Sequence, residues 1–333
     1  MPLLAVNYHH IGLSDKTINS LNGISKDDFL NHLKFLKNHF HLIGLNDIMK
    51  VDIKEKNYCI ITLDDGLSCH YDIVYQLMKE YDFPAAFFVS ALNFKKNKVT
   101  QIHKFQYIRS QISKEKLEDS LNEFLSENKI EMKPNYITEK EVKKRYRYDD
   151  VKTGKVKYII NYLLLNNDRN FFINEIFNYI VRNEKEFVNK WYLSKNQIKE
   201  MHSNDSCIGS HAFSHEPLAK MNEDELLYEL VESKKAIEEI TDKEITAISY
   251  PLGNPGAVGV REGKKSKEAG YKIGFTMERE WNNSLTNPLM LARIDCNDLP
   301  KIGKNPLFYI KNNNLYNNDG TFSKRKRSLF VLD

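Results

Sequence analysis

Three consecutive segments, "YCIITL" (58–63), "YDIVYQLMKEY" (71–81) and "FPAAFFVS" (83–90), limit what this chain can fold into more than any other feature. The first and third are apolar runs of strand length, while the second spaces its apolar residues every three or four positions, as an amphipathic helix does. Strand, helix, strand in that order needs a crossover connection and therefore a parallel sheet. Pro84 is compatible with a strand only near its start.

The same rhythm extends in both directions. "LLAVNYHH" reads as a buried strand ending near Tyr8, which leaves His9 and His10 at its C-terminal end. "SKDDFLNHLKFLKNHF" begins with Ser25 three residues before Asp28, a capping-box-like start, and repeats Phe29, Leu33, Leu36 and Phe40 at helical spacing. From about Asn93 to Asp205 Lys, Asn and Tyr become dense, helical spacing recurs in "KLEDSLNEFL" and "NFFINEIFNYIV", and no buried strand stands out. Strands then resume in "SCIGSH", "ITAISYPLG", "YKIGFT" and "LARIDC", separated by a helix capped by Asn222 with Glu225 three on and by another near residues 261–269. The expected organisation is one discontinuous α/β domain (1–92 and 206–300), a mainly helical subdomain inserted at 93–205 that could cap a substrate, and a C-terminal extension (301–333). The KRKR run in that extension reads most simply as a solvated terminus, with peripheral membrane or partner contact as the minor reading.

Composition narrows the function classes. With 41% hydrophobic and 28% charged residues and a net charge of only +4, the chain has no electrostatic bias toward nucleic acid. No run approaches the roughly 18–20 apolar residues that span a bilayer, and "MPLLAVNYHHIG" lacks the basic and apolar regions of an export signal. Cys59, Cys69, Cys207 and Cys296 are widely spaced. Free thiols, a reducing cytoplasm and a mature protein starting at this Met are the expectation.

"IITLDDGLSC" places Asp64 and Asp65 at the end of an apolar strand, where two carboxylates repel one another and are costly to desolvate. Asp-Gly also marks hairpin turns, but the following segment is too long and too helical for a return strand. Carboxylates at the C-terminal edge of a parallel sheet stand where such folds keep their sites. In "GSHAFSHEPL", His211 and His215 follow another strand end, and imidazoles at that spacing converge on one ion if the loop turns helically. Two imidazoles and a carboxylate are a usual catalytic zinc set, with Asp65 as the carboxylate and Asp64 free to act as a general base.

"TLDDG", "SHAFSH" and "YPLG", in that order, resemble the signatures of the polysaccharide deacetylases of carbohydrate esterase family 4, the NodB-like group: T-F-D-D-G, H-[ST]-x-x-H and R-x-P-Y. The resemblance covers roughly residues 3–92 and 206–298. It implies a distorted (β/α)7-type barrel, Asp64 as general base, Asp65, His211 and His215 as metal ligands, and hydrolysis of an N-acetyl group from an amino sugar. Zn2+ is the implied cofactor, with Co2+, Ni2+ or Mn2+ as substitutes. In "SYPLG" the backbone N–H of Leu252 takes the oxyanion role of the family Tyr, flanked by Tyr250 and Pro251, since a peptide N–H survives any non-proline side chain.

The departures are Leu63 for Phe, Ala212 where a bracing hydroxyl is usual, and Ser249 at the family Arg that orients the catalytic Asp. Branches of the family that lack this Arg often carry a similar R-I-D, which makes Arg293 in "LARIDC" the substitute; a salt bridge to Asp295 is its structural alternative. No histidine follows His215, so the late Leu-x-His acid is missing. The branch resembling the poly-N-acetylglucosamine deacetylases has an N-terminal Tyr-His, which makes His9 the candidate acid and His10 its alternate. His32, His39, His41 and His202 read as solvated, and Trp191 and Tyr192 as aromatics more suited to core than to sugar stacking.

The function expected is metal-dependent removal of an N-acetyl or N-formyl group from an intracellular amino-sugar precursor or terminal glycan residue in envelope biosynthesis. Two alternatives stand beside it: hydrolysis of a non-sugar amide or imide, and a non-catalytic carbohydrate-binding relative.

Overall fold

The computed structural model describes residues 3–12, 23–131, 137–146, 149–203, 207–299, 308–311 and 314–317. Eight strands form one parallel sheet: β1 (Leu3–Tyr8), β2 (His41–Leu42), β3 (Tyr58–Leu63), β4 (Ala86–Val89), β5 (Cys207–Ser210), β6 (Ala247–Ser249), β7 (Ile273–Phe275) and β8 (Ile294–Asp295). Their order is β7-β6-β5-β4-β3-β1-β8, with the two-residue β2 paired to the start of β3. A parallel bridge between Phe275 and Leu291 ties β7 to the segment leading into β8, so this seven-strand path bends into an incompletely closed barrel.

Alternation along the strands sorts the core into two layers. Leu3, Ala5, Ile60, Ala86, Phe88, Ala247 and Phe275 pack together on one side, while Leu4, Val6, Tyr8, Ile61, Leu63, Phe87 and Val89 pack with helix residues on the other. The first side is the barrel interior. Helix α1 (Lys26–His39) starts where Ser25 accepts from Asp28 N at 3.0 Å and buries Phe29, His32, Leu33 and Leu36. His32 is therefore not solvated: it lies on the buried stripe of α1, 3.3 Å from the Tyr8 hydroxyl. The segment after β3 opens as a π-helical turn, His70–Tyr75, before α2 (Gln76–Tyr81); α3 (Ala91–Lys96) follows β4.

A separate compact helical unit runs Gln101–Glu184. It contains α4 (Gln101–Gln111), α5 (Lys114–Glu127), α6 (Glu139–Arg145), α7 (Val151–Tyr158) and α8 (Asn166–Ile180), with Phe105, Ile108, Leu121, Phe172, Ile173 and Phe177 buried. It is narrower than the 93–205 suggested by composition. Most of α9 (Glu184–Trp191) and all of α10 (Lys195–Ser203) belong to the barrel unit, where Leu193, Ile198 and Met201 join the core outside the sheet. The barrel unit is completed by α11 (Glu223–Thr241), with the Asn222–Glu225 capping box, and α12 (Val260–Glu268).

Of the 301–333 extension, only β9 (Phe308–Lys311) and β10 (Asn314–Asn317), an antiparallel pair, are described; the KRKR run lies outside the described residues. Cys59, Cys69 and Cys296 are free thiols, and the Cys207 side chain is outside the description. Among the described residues, no helix is long and apolar enough to cross a membrane.

Candidate active site

The two acids separate because the chain turns between them. Ile60 and Thr62 face the barrel interior, and Asp64 takes the next position of that parity. Asp65 and Gly66 then adopt left-handed backbone, φ +82° and +63°. A Cβ at residue 66 would stand 2.8 Å from Val89 Cγ1, so glycine is required for the turn to lie against β4. Asp64 points back into the barrel and Asp65 joins the histidine loop.

Asp64 is gripped by Arg293, whose side chain is fully buried. Arg293 NH1 donates to Asp64 Oδ1 at 2.9 Å and NH2 to Oδ2 at 2.8 Å, a fork-to-fork pair. NH2 also donates to Ser249 Oγ at 2.8 Å, and Ser249 Oγ donates in turn to Asp64 Oδ2 at 3.0 Å. Asn7 Oδ1, Thr62 Oγ1 and Thr276 O accept the remaining guanidinium bonds. Burial pushes the Asp64 carboxyl up, but the Arg293 charge and hydrogen bonds outweigh it and hold the carboxyl down at about 2. The Arg293–Asp295 alternative is not what the structure contains: Asp295 accepts instead from Asn297.

Asp65, His211 and His215 are all buried, and one ligand atom from each lies within 4.8 Å of the other two. Asp65 Oδ1 is 3.4 Å from His211 Nε2 and 3.1 Å from His215 Nε2. His211 Nδ1 is 2.6 Å from the Ser249 carbonyl, which can only accept, so the Nδ1 proton is placed there and Nε2 keeps its lone pair toward Asp65. Burial pulls the His215 imidazolium down, yet Asp65 outweighs it and leaves the group raised. The cluster thus stabilises positive charge, as a cation site must. Its donor set and tautomer fit a divalent metal.

Ala212 takes a hydroxyl from the loop, and other residues brace it. Glu229 accepts from the N–H groups of Phe213 and Ser214, both at 2.8 Å, Ser233 Oγ donates to Ala212 O, Ser210 Oγ accepts from Ala212 N, and Ser90 Oγ donates to His211 O. Sequence reasoning missed these partners, although Glu229 and Ser233 sit on the apolar stripe of α11 with Leu226, Leu230 and Ile237, where a polar residue signals a buried task. Asn7, Thr62 and the bonding role of Ser249 were missed as well; strand parity with Asp64 was the available signal for the first two.

Leu252 stands at the C-terminal end of β6 with φ +60° and a half-open side chain, and among the described residues its N–H meets no acceptor. Tyr250 is buried, its N–H bound to Phe275 O, and Pro251 accepts from Gly253 N. These two shape the turn. At the end of β1, His9 is half-buried, whereas the alternate, His10, is buried with its ring edge-to-face on Trp191 at 5.6 Å. The His9 carbonyl accepts from the buried His70 Nε2 at 2.9 Å. Tyr192 is core and bridges to Leu67, while Trp191 stacks on Phe187.

A family model described as polysaccharide deacetylase matches residues 52–129 and 147–274, well over half the chain. The chain belongs to the polysaccharide deacetylase family. YxkH of Bacillus subtilis, a curated protein named as a polysaccharide deacetylase, is 30% identical over 94 residues; that match spans 28% of this chain and only a third (33%) of the relative. Among solved structures, the fold is similar to the deacetylase PplD of Streptococcus pyogenes, solved with acetate, at TM-score 0.56 and 14% identity over 89% of this chain and 92% of that one. It is also similar to IcaB from Ammonifex degensii (TM-score 0.51, 14% identity, 88% and 91% covered) and to a de-N-acetylase from Aggregatibacter actinomycetemcomitans (0.51, 16%, 89% and 96%). The barrel is thus the (β/α)7 fold of polysaccharide deacetylases, with the acid and histidine loops on the C-terminal edge of its strands.

Proposed function

We propose that this polysaccharide deacetylase-family chain is a metal-dependent hydrolase that removes an N-acetyl or N-formyl group from an amino sugar in a glycan or glycan precursor inside the cell. The observation that carries the reading is the pairing of a buried Asp-His-His cluster with a neighbouring carboxylate anchored by a bidentate arginine. Two similar structures, a deacetylase solved with acetate and a de-N-acetylase, support the acyl group; the three free thiols agree with a reducing compartment.

Asp65, His211 and His215 would hold the ion, and two imidazole nitrogens with one carboxylate oxygen suit Zn2+, with Co2+, Ni2+ and Mn2+ as substitutes. A divalent cation there supplies Lewis acidity, lowering the pKa of water and polarising an amide carbonyl. Asp64 takes the proton from the attacking water. Its Oδ2 already accepts from Arg293 and Ser249, whereas Oδ1 accepts only from Arg293, so Oδ1 keeps a lone pair for the transferred proton. The Leu252 N–H, which meets no acceptor among the described residues, is the donor assigned to the oxygen on which charge develops. His9, just after the C-terminal end of β1, delivers a proton to the departing amine.

The test is acetate and formate release from N-acylated amino sugars, free, nucleotide-linked and oligomeric, with metal content measured alongside. Expected are a bound divalent ion, release abolished by chelator and restored by Zn2+, and loss of both metal and activity in Asp65→Asn and His211→Ala. Release that ignores the chelator, or metal content unchanged in both variants, refutes the reading.

A further inference from the structure

The helical unit contains a polar site of its own. A cavity of about 100 Å³ opens among α4, α5 and α7, and the side chains around it include Arg109, Lys114, Lys152 and Lys157 but no carboxylate. Leu117 and Val156 supply part of its apolar wall.

Arg109 makes the strongest case. Its side chain is only 16% exposed, yet among the described residues its one ion pair, Nη2 to Asp149 Oδ1, is 3.5 Å long and no hydrogen bond from the guanidinium accompanies it. A guanidinium carries five N–H donors, so one long contact leaves it capacity for a further acceptor. Asp149 is also shared: its Oδ2 binds Lys157 at 2.5 Å, so two nearly buried cations face one carboxylate. Burial pushes both cations toward the neutral form, and the Arg109 charge adds to that push on Lys157. Lys114 reaches Asp150 only at 3.6 Å; Lys152 alone has a close partner of its own, Glu118.

Lys114 opens α5, and Lys152 and Thr153 lie in the first turn of the eight-residue α7; Ser113 and Asp150 already cap these two ends, accepting from Lys116 N and Thr153 N, so the side-chain cations set the sign of the cavity. Between Glu139 and Lys157 the sequence carries eight Lys or Arg against four Asp or Glu.

We infer that this cavity is a binding site for a phosphoryl group. A tetrahedral dianion offers three acceptor oxygens, enough to engage cations arriving from three helices, whereas a carboxylate offers two and less charge. The volume equals about three waters' share of liquid, room for one such group. The arginine fork then gains the short acceptors that Asp149 does not provide. This assignment is independent of the deacetylation chemistry.

Isothermal titration calorimetry on the full chain at fixed ionic strength tests it, with inorganic phosphate, a sugar phosphate monoester, a sugar phosphodiester and acetate as probes. Phosphate is expected to bind, with affinity falling about tenfold in Arg109→Gln, the loss of one charge-assisted fork. A smaller fall is expected in Lys114→Gln, whose half-exposed site is safe for folding. Preference for the monoester assigns a small phosphorylated compound as the source, whereas preference for the diester, a monoanion with two free oxygens, counts against the dianion argument and overturns the inference. Absence of phosphate binding at millimolar concentration, equal binding by acetate, or affinity unchanged in both variants overturns the inference.

Discussion

Replacing Arg293 by Met removes six hydrogen bonds at one stroke while keeping much of the apolar length. The Asp64 carboxylate is left buried without its counter-ion, and breaking a buried pair in this way costs about 3–5 kcal/mol. The pH dependence carries more information than the size. With a folded-state pKa of about 2 against 3.8 for the unexposed-to-charge reference, Asp64 contributes about 2 kcal/mol of stability at neutral pH. Because the folded value is depressed, that contribution is complete above about pH 4 and is lost as pH falls toward 2. Without the guanidinium, burial becomes the leading influence and lifts the carboxyl above its unfolded value. The native state then binds more protons than the unfolded chain, and stability declines as pH rises through the region just above 4. Urea unfolding from pH 3 to 7 reads this directly. Arg293→Lys, which keeps the charge but loses the fork, should fall between the two. A Met variant within about 1 kcal/mol of the parent, or with the parental slope below pH 4, would show that Arg293 does not anchor Asp64.

Ser249→Ala removes the hydroxyl that bridges Arg293 and Asp64 Oδ2; kcat for acyl release should drop about tenfold with KM little changed, and an unaltered kcat would count against the positioning role. Burial lowers the His70 imidazole to about 4 while the unfolded chain titrates near 6.5, so the unfolded state binds the extra proton between those values. Stability should fall by about 3 kcal/mol as pH drops through that window, and His70→Asn should lose this part of the slope; parallel curves for parent and variant would contradict the assignment.

The strand ends that meet at the candidate site were legible because each is a short apolar run stopping at a polar cluster: Tyr58–Leu63 before Asp64, and the strand to Ser210 before His211. Arg293 could be named from its place before "ID", but its partner could not be read from sequence spacing. The choice between Asp64 and Asp295 depends on how the barrel closes, and closure rests on long-range contacts such as Phe275 with Leu291. His32 was misread because a histidine on an apolar helix face carries no mark of the Tyr8 hydroxyl it meets. The start and end of the helical unit were blurred because α9 and α10 are as polar on their outer faces as the helices before them, and only the burial of Ile198 and Met201 shows which core they serve.

Half of the eight described non-glycine residues with left-handed backbone sit at this one site: Asp65, Ala212, His215 and Leu252, with φ between +57° and +82°. Such conformations cost about 1–3 kcal/mol each for residues bearing a Cβ. A redesign that sought thermal stability alone would begin by placing glycine at these positions, and in doing so would erase two of the three side chains of the Asp-His-His cluster. The fold has room to be sturdier, and the place where it declines that option is the mouth of the barrel.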